Sequence, residues 1–195
     1  MRWRHATIGL AAVAVAGIAV VLLAGASGGE PSHRRASGAF AWLRPALPPA
    51  GWRVARIPDG AALAYPPAFR PIRTDPGTAS VALLGRGGRI EAYLNATPKQ
   101  GTETLANWSR FRPQHNRGEG DRSVHLVAST GDARFRSGRG ACVIDAYTTS
   151  KATYQEIACL VSGPRSTSVV VAAAPVELWG RHAATLERAV SSFVP

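Results

Sequence analysis

The residues with the most chemistry to offer lie close together, in residues 141–162. That stretch reads as a β-hairpin with its turn centred between Ser150 and Lys151. In that register Cys142 falls opposite Cys159, Ile144 opposite Ile157 and Ala146 opposite Gln155 on one face. Val143 meets Ala158, and Tyr147 meets Tyr154, on the other. Apolar side chains meet apolar side chains on both faces, which is the condition that fixes a strand register. Asp145 is thereby set against Glu156. Two facing carboxylates repel unless a proton or a cation intervenes. Such a pair has the chemistry to hold a cation or to act as an acid/base couple. The structural alternative is an ion-pair cluster in which Arg134, Arg136 or Arg139 of the neighbouring strand neutralises them.

Cys142 and Cys159 are the only cysteines. Facing across a hairpin, they are expected to form a disulfide, the use of cysteine suited to an oxidising compartment. Their spacing is not CxxC and no helix begins at either, so a redox-active pair is disfavoured. Two thiols without nearby histidines make an incomplete metal site. His33, His115, His125 and His182 are scattered, with no HExxH and no ligand-like spacing, and no GxSxG presents a serine. No metal, cofactor or catalytic residue is assigned. One further cluster stands out: Arg110, Arg112, Arg117 and Arg122 surround Trp108, Phe111 and His115. A basic surface interleaved with aromatics is suited to an anionic ligand. The competing reading turns the aromatics inward and leaves the arginines in water.

The elements that position these residues follow from periodicity and turn chemistry. Short strands are predicted over residues 52–57, 63–65, 81–84 and 90–96, the last two joined by Gly85-Arg86-Gly87-Gly88. That glycine run lacks GxxxxGK[ST] and no helix signal follows, so it reads as a hairpin turn and not as a phosphate loop. Residues 102–112 are predicted helical, with Thr102 as N-cap and Leu105, Trp108 and Phe111 on one face, ended by Pro113. A strand over residues 123–129 is expected to turn at Gly131-Asp132 and return through residue 136. After the hairpin of residues 141–162, residues 167–173 form a β-branched strand. A final helix starts at Pro175 and carries Val176, Trp179, Ala183, Leu186, Val190 and Phe193 as an apolar stripe. The fold class is α+β, an antiparallel β-sheet packed with two main helices.

The first two dozen residues bear on location. A basic start, Met1-Arg2-Trp3-Arg4-His5, precedes residues 8–26, which hold no charged side chain. Residues 1–26 are either a retained transmembrane anchor or a signal peptide cut after Ala26. The run nearly spans the roughly 30 Å hydrocarbon layer, and Ala24-Gly25-Ala26 supplies the small residues of a cleavage site. In both cases the basic end stays in the cytoplasm and the remainder lies outside. Residues 27–50, rich in Pro, Gly, Ser and Arg, are expected to be a flexible tether, although Phe40, Trp42 and Leu43 could pack on the domain. Residues 51–195 form the single folded domain. The net charge of the 195-residue chain is +11. Nearly all the cations are arginines, the lysines being Lys99 and Lys151. Codon bias of a GC-rich bacterial genome explains much of this, and the remainder favours anionic lipids or envelope polymers as partners. An exported domain rarely meets nucleic acid.

The order of elements through residues 51–194, with Tyr93-Leu94-Asn95-Ala96-Thr97-Pro98, then a helix, hairpins and a terminal amphipathic helix, resembles the PsbP-like fold. It is similar in layout to actinobacterial exported proteins of the LpqN kind. That resemblance implies an α/β sandwich and an accessory or binding role without catalytic machinery. It carries over no functional residues, because no diagnostic motif accompanies the layout. One departure is that no cysteine follows Leu22-Leu23-Ala24, so the lipid attachment of such lipoproteins is absent. The sequence therefore points to a non-catalytic extracytoplasmic domain that binds a ligand or protein at the bacterial envelope. The alternative is an envelope hydrolase with unidentified catalytic residues.

Overall fold

The computed structural model describes residues 38–195. The expected leader, residues 1–26, its apolar helix and residues 27–37 lie outside the described residues. Among those described, no helix is long and apolar enough to cross a membrane.

Among the described residues, nine strands and two long α-helices follow in order. They are β1 (Arg53–Arg56), β2 (Ala62–Tyr65), β3 (Arg70–Pro71), β4 (Ala79–Leu84), β5 (Ile90–Pro98), α1 (Trp108–Gly118), β6 (Arg122–Phe135), β7 (Gly138–Thr148), β8 (Thr153–Ser162), β9 (Thr167–Pro175) and α2 (Val176–Ser191). Seven strands make one antiparallel sheet in the order β3-β4-β5-β9-β8-β7-β6, and β1 and β2 form a separate ribbon. This is the α+β sandwich that the patterning predicts.

The β7–β8 hairpin has the register derived from its side-chain pattern. Cys142 pairs with Cys159, Val143 with Ala158, Asp145 with Glu156 and Tyr147 with Tyr154. The two cysteines are joined in a disulfide that closes a seventeen-residue separation. The β4–β5 turn also matches expectation, as Gly87 (φ +68°) and Gly88 (φ +74°) take the left-handed conformation that glycine adopts without strain.

Alternation along β7, β8 and β9 gives the sheet two apolar faces. Cys142, Ile144, Ile157, Cys159, Val161, Val170 and Ala172 point to one side, where they pack with Leu63, Leu186, Val190 and Phe193 of the β1–β2 ribbon and the C-terminal segment. Val143, Ala158, Leu160, Val169 and Val171 point to the other side and pack with Trp108, Leu105 and Phe111. The sheet is thus central, with α2 and the ribbon on one face and α1 on the other.

Four expectations need correction. Pro113 does not end a helix; it lies inside α1, which starts at Trp108 and runs to Gly118. The carbonyl that loses its partner to Pro113 belongs to Ser109, an exposed residue, so the loss falls where solvent has access. Thr102 is not the cap either. Thr104 Oγ1 accepts from the Asn107 amide (3.1 Å) while Asn107 Oδ1 accepts from the Thr104 amide (2.7 Å), a reciprocal capping box one turn ahead of the helix. Gly131-Asp132 does not turn the chain. Residues 122–135 are one long strand whose pairing with β7 shifts at three places, including between Thr130 and Ala133, so the glycine marks a bulge. In α2, Val176 is 47 % exposed while Leu178, His182 and Ala189 are buried beside Leu186 and Val190, so the buried stripe is rotated from the one expected.

The segment expected as tether is partly docked. Phe40 is buried in the core, and Trp42, Leu43 and Trp52 pack against it. The Ala46 amide donates to the Ser191 carbonyl (3.1 Å). Three large apolar side chains gain more by burial than the surrounding Pro-rich stretch gains from freedom.

Candidate functional site

Trp108, Arg112 and Asn116 are spaced by four, so they fall on one face of α1. Each bonds to the sheet beneath it. Trp108 Nε1 donates to the Ala158 carbonyl (2.9 Å). Arg112 Nε and Nη2 donate to the two oxygens of Glu156 (2.6 and 2.8 Å). Asn116 Nδ2 donates to Asp145 Oδ2 (3.3 Å). Arg117, on the next position, donates from Nη2 to the Val124 carbonyl of β6 (2.8 Å). The helix is therefore held to β8, β7 and β6 by polar contacts as well as by the Trp108 and Phe111 rings, which stack at 6.0 Å.

Asp145 and Glu156 are both fully buried, at 0 % exposure. Their partner is Arg112 from the helix and not the arginines of β6 and β7, which corrects the expected cluster. Arg134 and Arg139 face each other near the β6–β7 turn, six residues along β7 from Asp145, or about 20 Å at strand spacing. Arg134, Arg136 and Arg139 are exposed. The bidentate geometry suits a guanidinium and a carboxylate and makes a strong charge-assisted pair. Burial alone would lower the Arg112 pKa, but the Glu156 charge and the two bonds outweigh it and raise it above its ordinary value.

One guanidinium cannot neutralise two carboxylates. Burial, followed by the charge of Glu156, pushes the pKa of Asp145 up to about 8. Asp145 is therefore a neutral acid at pH 7, and its Oδ1 has no hydrogen-bond partner among the described residues. Tyr147 donates its hydroxyl to Glu156 Oε2 (3.3 Å). Burial first, and the Glu156 charge second, raise the Tyr147 pKa, so it stays a donor.

Beside this cluster opens a cleft of about 600 Å³. Trp108, Phe111, Arg112 and His115 of α1 form one wall, and residues 73–78 between β3 and β4 form another. The floor is the sheet face carrying Ser80, Tyr93, Asn95, Thr97 and Glu156. Ser80 Oγ is the hub of the floor. It accepts from Asn95 Nδ2 (2.9 Å), donates to Thr74 Oγ1 (3.0 Å) and lies 3.2 Å from the Tyr93 hydroxyl. A second, apolar cleft of about 330 Å³ shares Tyr93 and Tyr147 with the first and extends over Ile90 and Tyr154. Tyr147 and Tyr154 stack along it at 5.9 Å.

The arginines singled out in the sequence have separate fates. Arg112 is Glu156's partner and part of the cleft wall. Arg110, Arg117 and Arg122 stay exposed, Arg117 while bonding Val124. Asn116, Tyr147, Ser80 and Asn95 were missed as site residues. The four-residue spacing of Trp108, Arg112 and Asn116 was the available signal, and ending the helix at Pro113 hid it. Among the described residues no group of three or more His, Cys, Asp or Glu side chains is arranged to hold a metal ion. His182 is buried on α2 with Nε2 4.0 Å from Glu91, on the other side of the sheet.

No protein-family model matches the chain, and no curated protein matches it. Solved structures do. Cyanobacterial PsbP (CyanoP) from Synechocystis sp. PCC 6803 superimposes with a TM-score of 0.55 at 14 % identity, covering 75 % of this chain and 93 % of that one. The fold is therefore PsbP-like. A Pseudomonas aeruginosa protein of unknown function, PA94, gives a TM-score of 0.49 at 14 % identity, over 75 % of this chain and 98 % of that one. LpqN of Mycobacterium tuberculosis, described as involved in cell envelope biogenesis, gives 0.37 at 15 % identity, over 77 % and 83 %. The last two superpositions are too loose to support an argument.

Proposed function

We propose that the chain is a non-catalytic extracytoplasmic domain of the bacterial envelope, and that it binds a small polar ligand in the cleft under α1. The observation that carries this reading is the floor of the cleft. Glu156 there is saturated by Arg112 and Tyr147, which leaves a floor of hydroxyl and amide groups flanked by aromatic rings, with Arg73, Asp75 and His115 on the walls. Binding sites take this form, with apolar walls and a few placed polar groups in a volume of a few hundred Å³. The buried disulfide supports an oxidising compartment, as does the apolar leader read from the sequence.

The hydrolase reading would use Asp145 and Glu156 as an acid/base couple. Asp145 is fully buried beneath Asn116 and does not line the cleft, so a substrate there would not reach it. Binding is the better reading. The test is a titration of the protein with fractionated envelope extract, followed by tryptophan fluorescence, since Trp108 lines the cleft. Ser80→Phe fills the floor. A shift in the native protein that disappears in Ser80→Phe is expected; a shift equal in both, or none in any fraction, contradicts the reading.

A further inference from the structure

We propose that the sheet end formed by the β6–β7 hairpin and the β8–β9 turn is a docking surface for an anionic bilayer leaflet. Arg134 and Arg139 face each other directly across β6 and β7, an arrangement that costs stability because like charges repel. Arg136 lies in the turn between those strands, Arg165 in the β8–β9 turn, and Lys99 follows β5 with its amide bonded to the Thr167 carbonyl. All five are exposed. The ion pairs among the described residues are Arg112–Glu156 and His182–Glu91, so none of the five is neutralised by one. Three acids share this end: Asp59, which accepts from the Ala61 amide and the Ser168 hydroxyl, Glu103 beside Lys99, and Asp132, so the five cations still outnumber them. The opposite end of the sheet mixes both signs, with Lys151, Arg86, Arg89 and Arg122 among Glu91, Glu119, Asp121 and Glu177. The positive field is therefore concentrated at one end.

The course of the chain says which anion that end meets. α2 runs back from Pro175 along the sheet, so its last turn arrives at the basic end, where Pro195 lies against Gly138 and Gly163. Residues 42–46 pack beside Arg188 and Ser191 of that last turn. The polypeptide thus enters the domain next to the basic end. Residues 27–41 separate this docked segment from the apolar run of residues 8–26, and fifteen residues reach at most about 54 Å. With residues 8–26 retained in the bilayer, on which this proposal rests, a tether that short raises the effective concentration of the leaflet at the arginines. Guanidinium groups match lipid phosphates in geometry. A soluble polyanion gains nothing from the tether.

The test uses the full chain reconstituted in vesicles, with a fluorophore on Ser137→Cys in the β6–β7 turn and an acceptor on lipid headgroups. Vesicles are phosphatidylcholine alone or with phosphatidylglycerol added. Transfer is expected to be more efficient in the anionic vesicles than in the neutral ones, and high salt is expected to bring the two to the same level. Replacing Arg134, Arg136, Arg139 and Arg165 by Ser is expected to lower the docking equilibrium constant on the order of several hundred-fold, at roughly fivefold per arginine. Replacing the same four by Lys is expected to retain docking. If the serine variant fails to fold, Arg136→Glu alone serves. Transfer that is equal in both lipids, or that survives loss of the arginines, overturns the proposal. So does a response to soluble polyglycerol phosphate with none to anionic vesicles, which would assign the surface to a polymer.

Discussion

Arg112 decides what the two facing carboxylates are able to do. By engaging both oxygens of Glu156 it takes that carboxylate as its partner and leaves Asp145 to hold a proton. Removing one partner of a buried pair leaves an uncompensated charge, whereas removing both does not. Arg112→Leu is therefore expected to cost about 3–5 kcal/mol in urea unfolding, and the double variant Arg112→Leu/Glu156→Leu to recover most of it. Asp145 supplies a pH prediction. Its pKa is about 8 in the folded protein against an ordinary 3.8, so folding takes up a proton between those values. Stability is greatest below the lower value, falls as pH rises through the window, and levels above the upper one. Urea midpoints measured across that window should decline in the native protein and decline less in Asp145→Asn. That the carboxylates face each other was legible from the hairpin pattern alone. Their partner was not, because Arg112 reaches Glu156 across 44 positions of sequence and its approach depends on how α1 docks.

At the scale of elements, legibility follows how local the determinants are. The β7–β8 hairpin carries its own register, since each pair of facing side chains agrees with the next, and its disulfide follows from that register. Closing a loop of seventeen residues is worth about 3 kcal/mol. Cys142→Ala/Cys159→Ala should lower the urea-derived stability by about that amount. α1 was harder to read because Pro113 argues locally against a helix, and the argument is overruled by tertiary contacts. Trp108, Arg112 and Asn116 fasten it to the sheet, while the exposed Ser109 accepts the loss of one bond. β6 was misread for a related reason. Gly131-Asp132 is turn chemistry, but fourteen residues of pairing with β7 carry the strand through it as a bulge.

For the whole molecule, the PsbP-like sandwich gives two unlike surfaces to one sheet. The side facing α2 and the β1–β2 ribbon is sealed by apolar packing. The side facing α1 is only partly covered, because α1 is short beside the width of seven strands, and the uncovered part is the cleft. That asymmetry was not readable from strand patterns, since Ser80, Tyr93 and Asn95 look like ordinary solvent-facing positions until the helix beside them is placed. Whether this cleft is the working site of the protein can be read by native mass spectrometry of the protein purified gently from bacterial envelopes. The account predicts an adduct of ligand size on the native chain, released on unfolding and absent from Ser80→Phe. A native chain with no adduct under any gentle preparation, or the same adduct on Ser80→Phe, would contradict it.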